Sequence, residues 1–150
     1  MIEFLHVADF RIEVVEPIEV GETPAGVRRM IPILGGEVSG PLIHGRVLAG
    51  GADLQLLRND GVAELHACYV IECASGSRIY IENAGLRHGS PEAMERLRRG
   101  EPVDPALIYF RTTPRFETAD EAYRWLTRHI FIAAGVRRPG RVELKVYQVM

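Results

Sequence analysis

Two cysteines in 150 residues are too few for a disulfide framework or for a structural zinc site of their own. Cys68 and Cys73 lie five apart on one predicted strand, so they face opposite sides and cannot bridge. Apolar runs are also short. None approaches the roughly 20 residues of a membrane span. Met1 to His6 has no basic region ahead of an apolar one, so no signal peptide is expected and the cytoplasm is the expected compartment. Charge of one sign is lacking too. A net charge of -2 and a pI near 6.2 supply no positive field for a nucleic-acid backbone. The sequence has no G-x-G-x-x-G, no P-loop, no H-E-x-x-H and no G-x-S-x-G. In Gly36-Glu37-Val38-Ser39-Gly40 the serine stands one position too late for a nucleophile elbow. His66 and Cys68 share a strand face and supply two metal ligands without an evident third or fourth. No metal and no cofactor is therefore expected.

What is present is alternation. Residues 2–15 place Ile2, Phe4, His6, Ala8, Phe10, Ile12 and Val14 on one face, the pattern of a long strand stopped at Pro17. Strands are further predicted at 27–34, 42–48, 53–57, 62–73, 77–83, 107–112, 130–134 and 142–149. Asn59-Asp60-Gly61 and Ser75-Gly76 are hairpin turns, because these residues tolerate positive φ. Residues 84–105 read as irregular, with a short helix at 91–99 that takes Ser90 as N-cap and Gly100 as its stop. Thr118 to Glu121 reads as a capping box opening a helix over 119–127. About nine hairpin-linked strands and few helices predict a mostly β chain, a single domain over 1–150. An antiparallel barrel is the expected architecture, since closure removes exposed edges. A β-sandwich is the runner-up.

The densest feature is the run from Gly35 to Asp53, with glycines at 35, 36, 40, 45, 50 and 51. Glycines this close imply bulges, corners or near backbone contact. The run delivers one carboxylate, Asp53, at its end. Together with Asn59-Asp60-Gly61-Val62-Ala63-Glu64-Leu65, Tyr69, Ile79-Tyr80-Ile81, Asn83, Gly85, Tyr109-Phe110-Arg111, Phe116-Glu117 and Trp125-Leu126, it resembles the DUF3237 family, also called UPF0311. The resemblance covers about residue 3 to the C-terminus. It implies one β-barrel similar to lipocalin-like or allene-oxide-cyclase-like barrels, and it implies no activity. Leu54 and His66 depart from the pattern, where Trp and Asp are expected.

Several residues are candidates for a site. Asp53, at a glycine corner, can act as acid or base, or can simply accept turn N–H groups. Tyr80 and Asn83 can orient a carbonyl or stabilise an enolate. Glu64 and His66 form a proton-transfer pair if their face of strand 62–73 lines the lumen, and are solvated if it lies outside. Arg111 either pairs with an acid or holds a substrate carboxylate. Tyr69, Tyr109, Phe116 and Trp125 are candidate substrate walls, the last two alternatively packing a helix across the barrel. The leading expectation is a cofactor-independent isomerase, cyclase or lyase working beside a carbonyl. In it Asp53, Tyr80 and Asn83 are catalytic, and Glu64, His66, Tyr69, Tyr109, Arg111, Phe116 and Trp125 bind substrate. The alternatives are a non-catalytic barrel for a small apolar ligand and a structural protein with a packed lumen. A symmetric homodimer is expected from the long strands, such as 2–15.

Overall fold

Ten strands run antiparallel in one sheet that closes on itself in the computed structural model, which describes residues 1–150. They are β1 (Phe4–Val14), β2 (Ile18–Thr23), β3 (Gly26–Ser39), β4 (Gly45–Val47), β5 (Ala52–Leu57), β6 (Ala63–Cys73), β7 (Arg78–Gly89), β8 (Ile108–Thr118), β9 (Ile130–Arg138) and β10 (Arg141–Val149). Around the barrel the order is β1, β10, β9, β8, β7, β6, β5, β3 and back to β1. Two of the ten strands prolong others. On one side of β3, β2 continues β1 past Pro17; on the other, β4 precedes β5 in the same place between β3 and β6. The result is an eight-stranded barrel, narrow enough for side chains to fill.

The barrel expected from alternation is present, with differences that have local causes. β2 was not among the expected strands, because its alternating residues are largely exposed and Pro17 and Gly21 interrupt the pattern. β7 and β8 run further than expected. In β1 the register shifts between His6 and Ala8, so Val7 and Ala8 are both buried and the phase reverses. Ile2 and Phe4 therefore lie outside, not on the inner face with Phe10, Ile12 and Val14.

The glycine run bends β3. Gly36 has φ +144°, and a Cβ there would lie 1.9 Å from the Arg11 carbonyl oxygen, so the two strands can meet only at glycine. Past this point β3 leaves β5 and pairs with β4.

One end of the barrel is closed. Phe116 and Phe131 meet edge to face at 5.0 Å, and Trp125 packs on Phe131. Over them lies a 3₁₀ helix, Glu121–Arg128, whose Leu126 is fully buried. It is not the α-helix that a capping box at Thr118 implies. Asp120 is the cap, accepting from the Ala122 N–H, while Thr118 accepts from the Asp120 N–H. The short helix α1 (Pro91–Arg98) forms as expected, with Ser90 accepting from the Ala93 N–H. No helix is long and apolar enough to cross a membrane.

Candidate functional site

Which way β6 faces decides the site. Ala63, Leu65, Tyr69, Ile71 and Cys73 are buried, so the apolar face of this strand points into the barrel and Glu64, His66 and Cys68 point out. Asp53 pairs with Ala67, an inward position, and so shares the lumen side. Ala67 pairs in turn with Asn83 on β7. Asp53, Tyr69 and Asn83 thus come together, at the middle of the barrel. Alanine at 63 and 67 keeps the neighbouring wall thin.

Around them is a small cavity of about 40 Å³, lined by Asp53, Tyr69, Asn83, Arg87, Thr112 and apolar residues including Ile12 and Leu65. Its polar side chains are under-satisfied. Tyr69 Oη, Asn83 Oδ1, Thr112 Oγ1, Arg87 Nε and, one rung outward, Gln55 Oε1 are buried without a hydrogen-bond partner. Such atoms are rare in folded proteins, and several facing one space mark a place for something else. Asp53 itself is held firmly. Its Oδ1 accepts the His66 backbone N–H at 3.0 Å and its Oδ2 accepts from Gln55 Nε2 at 2.9 Å. Burial pushes the Tyr69 phenol well above its ordinary pKa, and the Asp53 charge adds to this. Tyr69 therefore remains a proton donor at neutral pH.

Beyond the cavity the barrel opens into a mouth of about 630 Å³ rich in arginine. Arg29 and Arg87 are 4 % and 5 % exposed, and Arg137 is half-buried. Arg29 Nε lies 2.9 Å from the Glu19 carboxylate. Arg137 donates to the Arg138 and Arg141 carbonyls. Arg87 lines both the cavity and the mouth. Burial lowers its pKa to about 10; Asp53 opposes the fall, and Arg137 and Arg29 add to it.

The remaining sequence candidates lie elsewhere. Tyr80 is on the outer side of β7, because alternation from inward Ile79, Ile81 and Asn83 puts it there. Its phenol is pushed up to about 12, chiefly by a hydrogen bond with Cys68. Glu64, His66, Tyr109 and Arg111 also face outward, and line an open groove across β5 to β9 with Leu54 and Leu86. The groove is larger, but its polar groups meet solvent or one another: Arg58 reaches Glu64, and the Arg111 guanidinium lies over the Tyr109 ring. Neither Arg111 nor His66 can reach a ligand in the lumen. Phe116 and Trp125 stand at the closed end, in the core. On the outer face, His66 Nε2, Cys68 Sγ and a Glu82 oxygen lie within 4.8 Å of one another, a donor set suited to a transition metal. The third donor comes from across the strand pair, where sequence spacing offers no sign of it.

Sequence reasoning missed Arg29, Gln55, Arg87, Thr112 and Arg137. The signal was available for three of them. Arg87 continues the inward series Ile79, Ile81, Asn83, Arg29 interrupts Val27, Ile31, Ile33, and Thr112 lies between Phe110 and Phe116 in step. A polar residue in phase with a buried apolar series is a lumen candidate.

The fold and site define a closed antiparallel barrel with a polar, partly open lumen. Residues 2–149 match the family described as "Protein of unknown function (DUF3237)", and the chain belongs to that family. It is 53 % identical over 133 residues to a UPF0311 protein of Bradyrhizobium diazoefficiens, spanning 89 % of this chain and 87 % of that one. A crystal structure of a conserved protein of unknown function from Rhodopseudomonas palustris superposes with a TM-score of 0.97 at 45 % identity, over 100 % of this chain and 99 % of that one. A more distant likeness is to an enzyme from Penicillium herquei, with a TM-score of 0.69, 19 % identity, and coverage of 100 % and 94 %. At that identity the likeness shows the fold alone.

Proposed function

We propose that the lumen is a small-molecule site in which Asp53 moves a proton beside a substrate carbonyl. The observation that carries this reading is the set of buried, unpartnered polar atoms facing the cavity beside Asp53. A carboxylate fixed by two hydrogen bonds keeps its orientation through a reaction. It takes a proton from the carbon next to the carbonyl. The electron pair moves onto the carbonyl oxygen, and the Tyr69 O–H stabilises the resulting enolate by donating to it. Returning the proton to a different atom completes an isomerisation, and expelling a neighbouring group completes an elimination. These steps draw only on side chains.

The test is wash-in of solvent deuterium. A panel of small carbonyl compounds is incubated with the protein in D₂O and followed by NMR. Exchange at the carbon beside the carbonyl is expected with the native protein. Asp53→Asn is expected to slow it by about 10²–10⁴-fold. Equal exchange in the variant removes Asp53 as the base. Saturable binding of panel members without exchange favours the second reading, a carrier, for which the apolar walls at Ile12, Ile33, Val142 and Leu144 also speak.

A further inference from the structure

We infer that Arg87 is the anchor for a carboxylate on the ligand, and that the ligand is a short carboxylic acid carrying a second oxygen close by. The inference rests on the lumen being a ligand site.

Arg87 is 5 % exposed and makes no hydrogen bond to any protein group. Its guanidinium carbon lies over the Phe110 ring, 5.3 Å from the ring centroid. A buried cation with no hydrogen-bonded counter-charge is unfavourable by several kcal/mol in general. The other two arginines do not share its condition. Arg29 Nε also lacks an aligned hydrogen bond, but the Glu19 carboxylate stands 2.9 Å from it and the Arg98 carbonyl accepts from Arg29 Nη2, while Arg137 donates to two carbonyls. Their charges nevertheless remain, so the neck of the barrel carries an excess of positive charge with Asp53 as the inner acid. The missing partner is an anion.

The guanidinium fork matches a carboxylate, and no protein group occupies it. Position supplies the rest. Arg87 lines both cavity and mouth, so an acid held there stands at the neck. The inner cavity, about 40 Å³, then takes only a few further atoms, and its walls present Tyr69 Oη, Asn83 Oδ1 and Thr112 Oγ1. Those groups suit a ketone or hydroxyl near the acid. Any larger part of the ligand extends outward into the mouth.

The test pairs pyruvate with pyruvamide and lactate with lactamide, titrated into the protein by calorimetry. The acids are expected to bind at least about tenfold more tightly than the amides. Arg87→Met is expected to erase that preference. Arg87→Lys keeps the charge without the fork and retains part of it. Arg137→Gln, acting through space, costs a smaller factor. Asp53→Asn removes a repelling charge and tightens the acids. Equal binding of acid and amide, no binding of either acid, or a preference that survives Arg87→Met overturns the inference. The two readings fail separately. A protein that prefers acids but shows no deuterium wash-in keeps Arg87 and loses Asp53 as base. One that exchanges deuterium without preferring acids does the reverse.

Discussion

The Asp53 carboxylate takes the place of a main-chain carbonyl opposite His66. Its Oδ1 accepts the His66 N–H at 3.0 Å, where the β5–β6 ladder has no rung between Asp53 and Leu56. One side chain thus belongs to the sheet and to the lumen. The glycine pair before it makes this geometry reachable: a Cβ on Gly51 would lie 2.3 Å from the Cys68 carbonyl oxygen.

This double role separates two substitutions. Asparagine keeps an acceptor for the His66 N–H, and Gln55 can turn its unpartnered Oε1 toward the new amide. Asp53→Asn should therefore cost less than about 1 kcal/mol in denaturant unfolding. Asp53→Ala leaves a sheet N–H without its acceptor and should cost about 1–3 kcal/mol. Both should lose deuterium wash-in. If the alanine variant is as stable as the asparagine one, the carboxylate is not part of the ladder.

Arg87 should behave in the opposite sense. A buried cation whose pKa falls to about 10 opposes folding. The unbranched, apolar Met replaces the aliphatic stem of Arg87 and can pack on Phe110. Without ligand, Arg87→Met should raise stability by roughly 1–3 kcal/mol. The gain in melting temperature should come with lost acid binding. A lowered melting temperature would mean that Arg87 already has a compensating partner in the empty barrel.

The outer face offers a control. Tyr80 and Arg111 sit on the far side of β7 and β8 from the lumen. Tyr80→Phe and Arg111→Gln should leave both acid binding and deuterium exchange within about twofold of the native protein. A loss of tenfold or more would place the ligand in the outer groove instead.

These residues also show where sequence reading reaches its limit. Alternation in β6 was plain, but a barrel can be polar on either side, and only closure decides which face is inside. Once Ala63, Leu65 and Tyr69 are inside, Glu64 and His66 must be out. Asp53 was legible because the glycine run ends on it. Arg87 keeps the inward phase of Ile79, Ile81 and Asn83, but Gly85 and Gly89 break the apparent strand and residues 84–105 look irregular, so that phase was not followed as far as 87. Hydrogen bonding to β8, paired from Ile79 through Gly89, carries the strand past them. The bulge at His6 and Ala8 is likewise set by pairing with β10, and no residue in β1 announces it.

Glycines in the run from Gly35 to Asp53 do different work, and alanine should expose this. At Gly36 a Cβ would meet the Arg11 carbonyl carbon and oxygen, both main-chain atoms that cannot move without opening β1 from β3. At Gly50 φ is +111°, but nothing lies within 4 Å. Gly50→Ala should thus cost about 1–2 kcal/mol of backbone strain. Gly36→Ala should cost more than about 4 kcal/mol, or prevent folding. Similar melting temperatures for the two variants would refute the close approach at the barrel corner.

The closed end of the barrel should give the protein part of its acid sensitivity. The Asp120 carboxyl lies below its ordinary value of 3.8, chiefly through a hydrogen bond from the Ser77 hydroxyl and then through the Ala122 N–H. A folded-state pKa below the unfolded one contributes stability that is present above the unfolded value and is lost as pH falls through the folded one. Asp120→Asn keeps an acceptor for the cap and loses only the charge. Its melting temperature should lie below that of the native protein above about pH 5, and the two curves should converge as pH falls through the lowered folded-state pKa of Asp120. Curves that stay parallel across that range would show that the Asp120 charge contributes nothing to holding the 3₁₀ helix over Phe116 and Phe131.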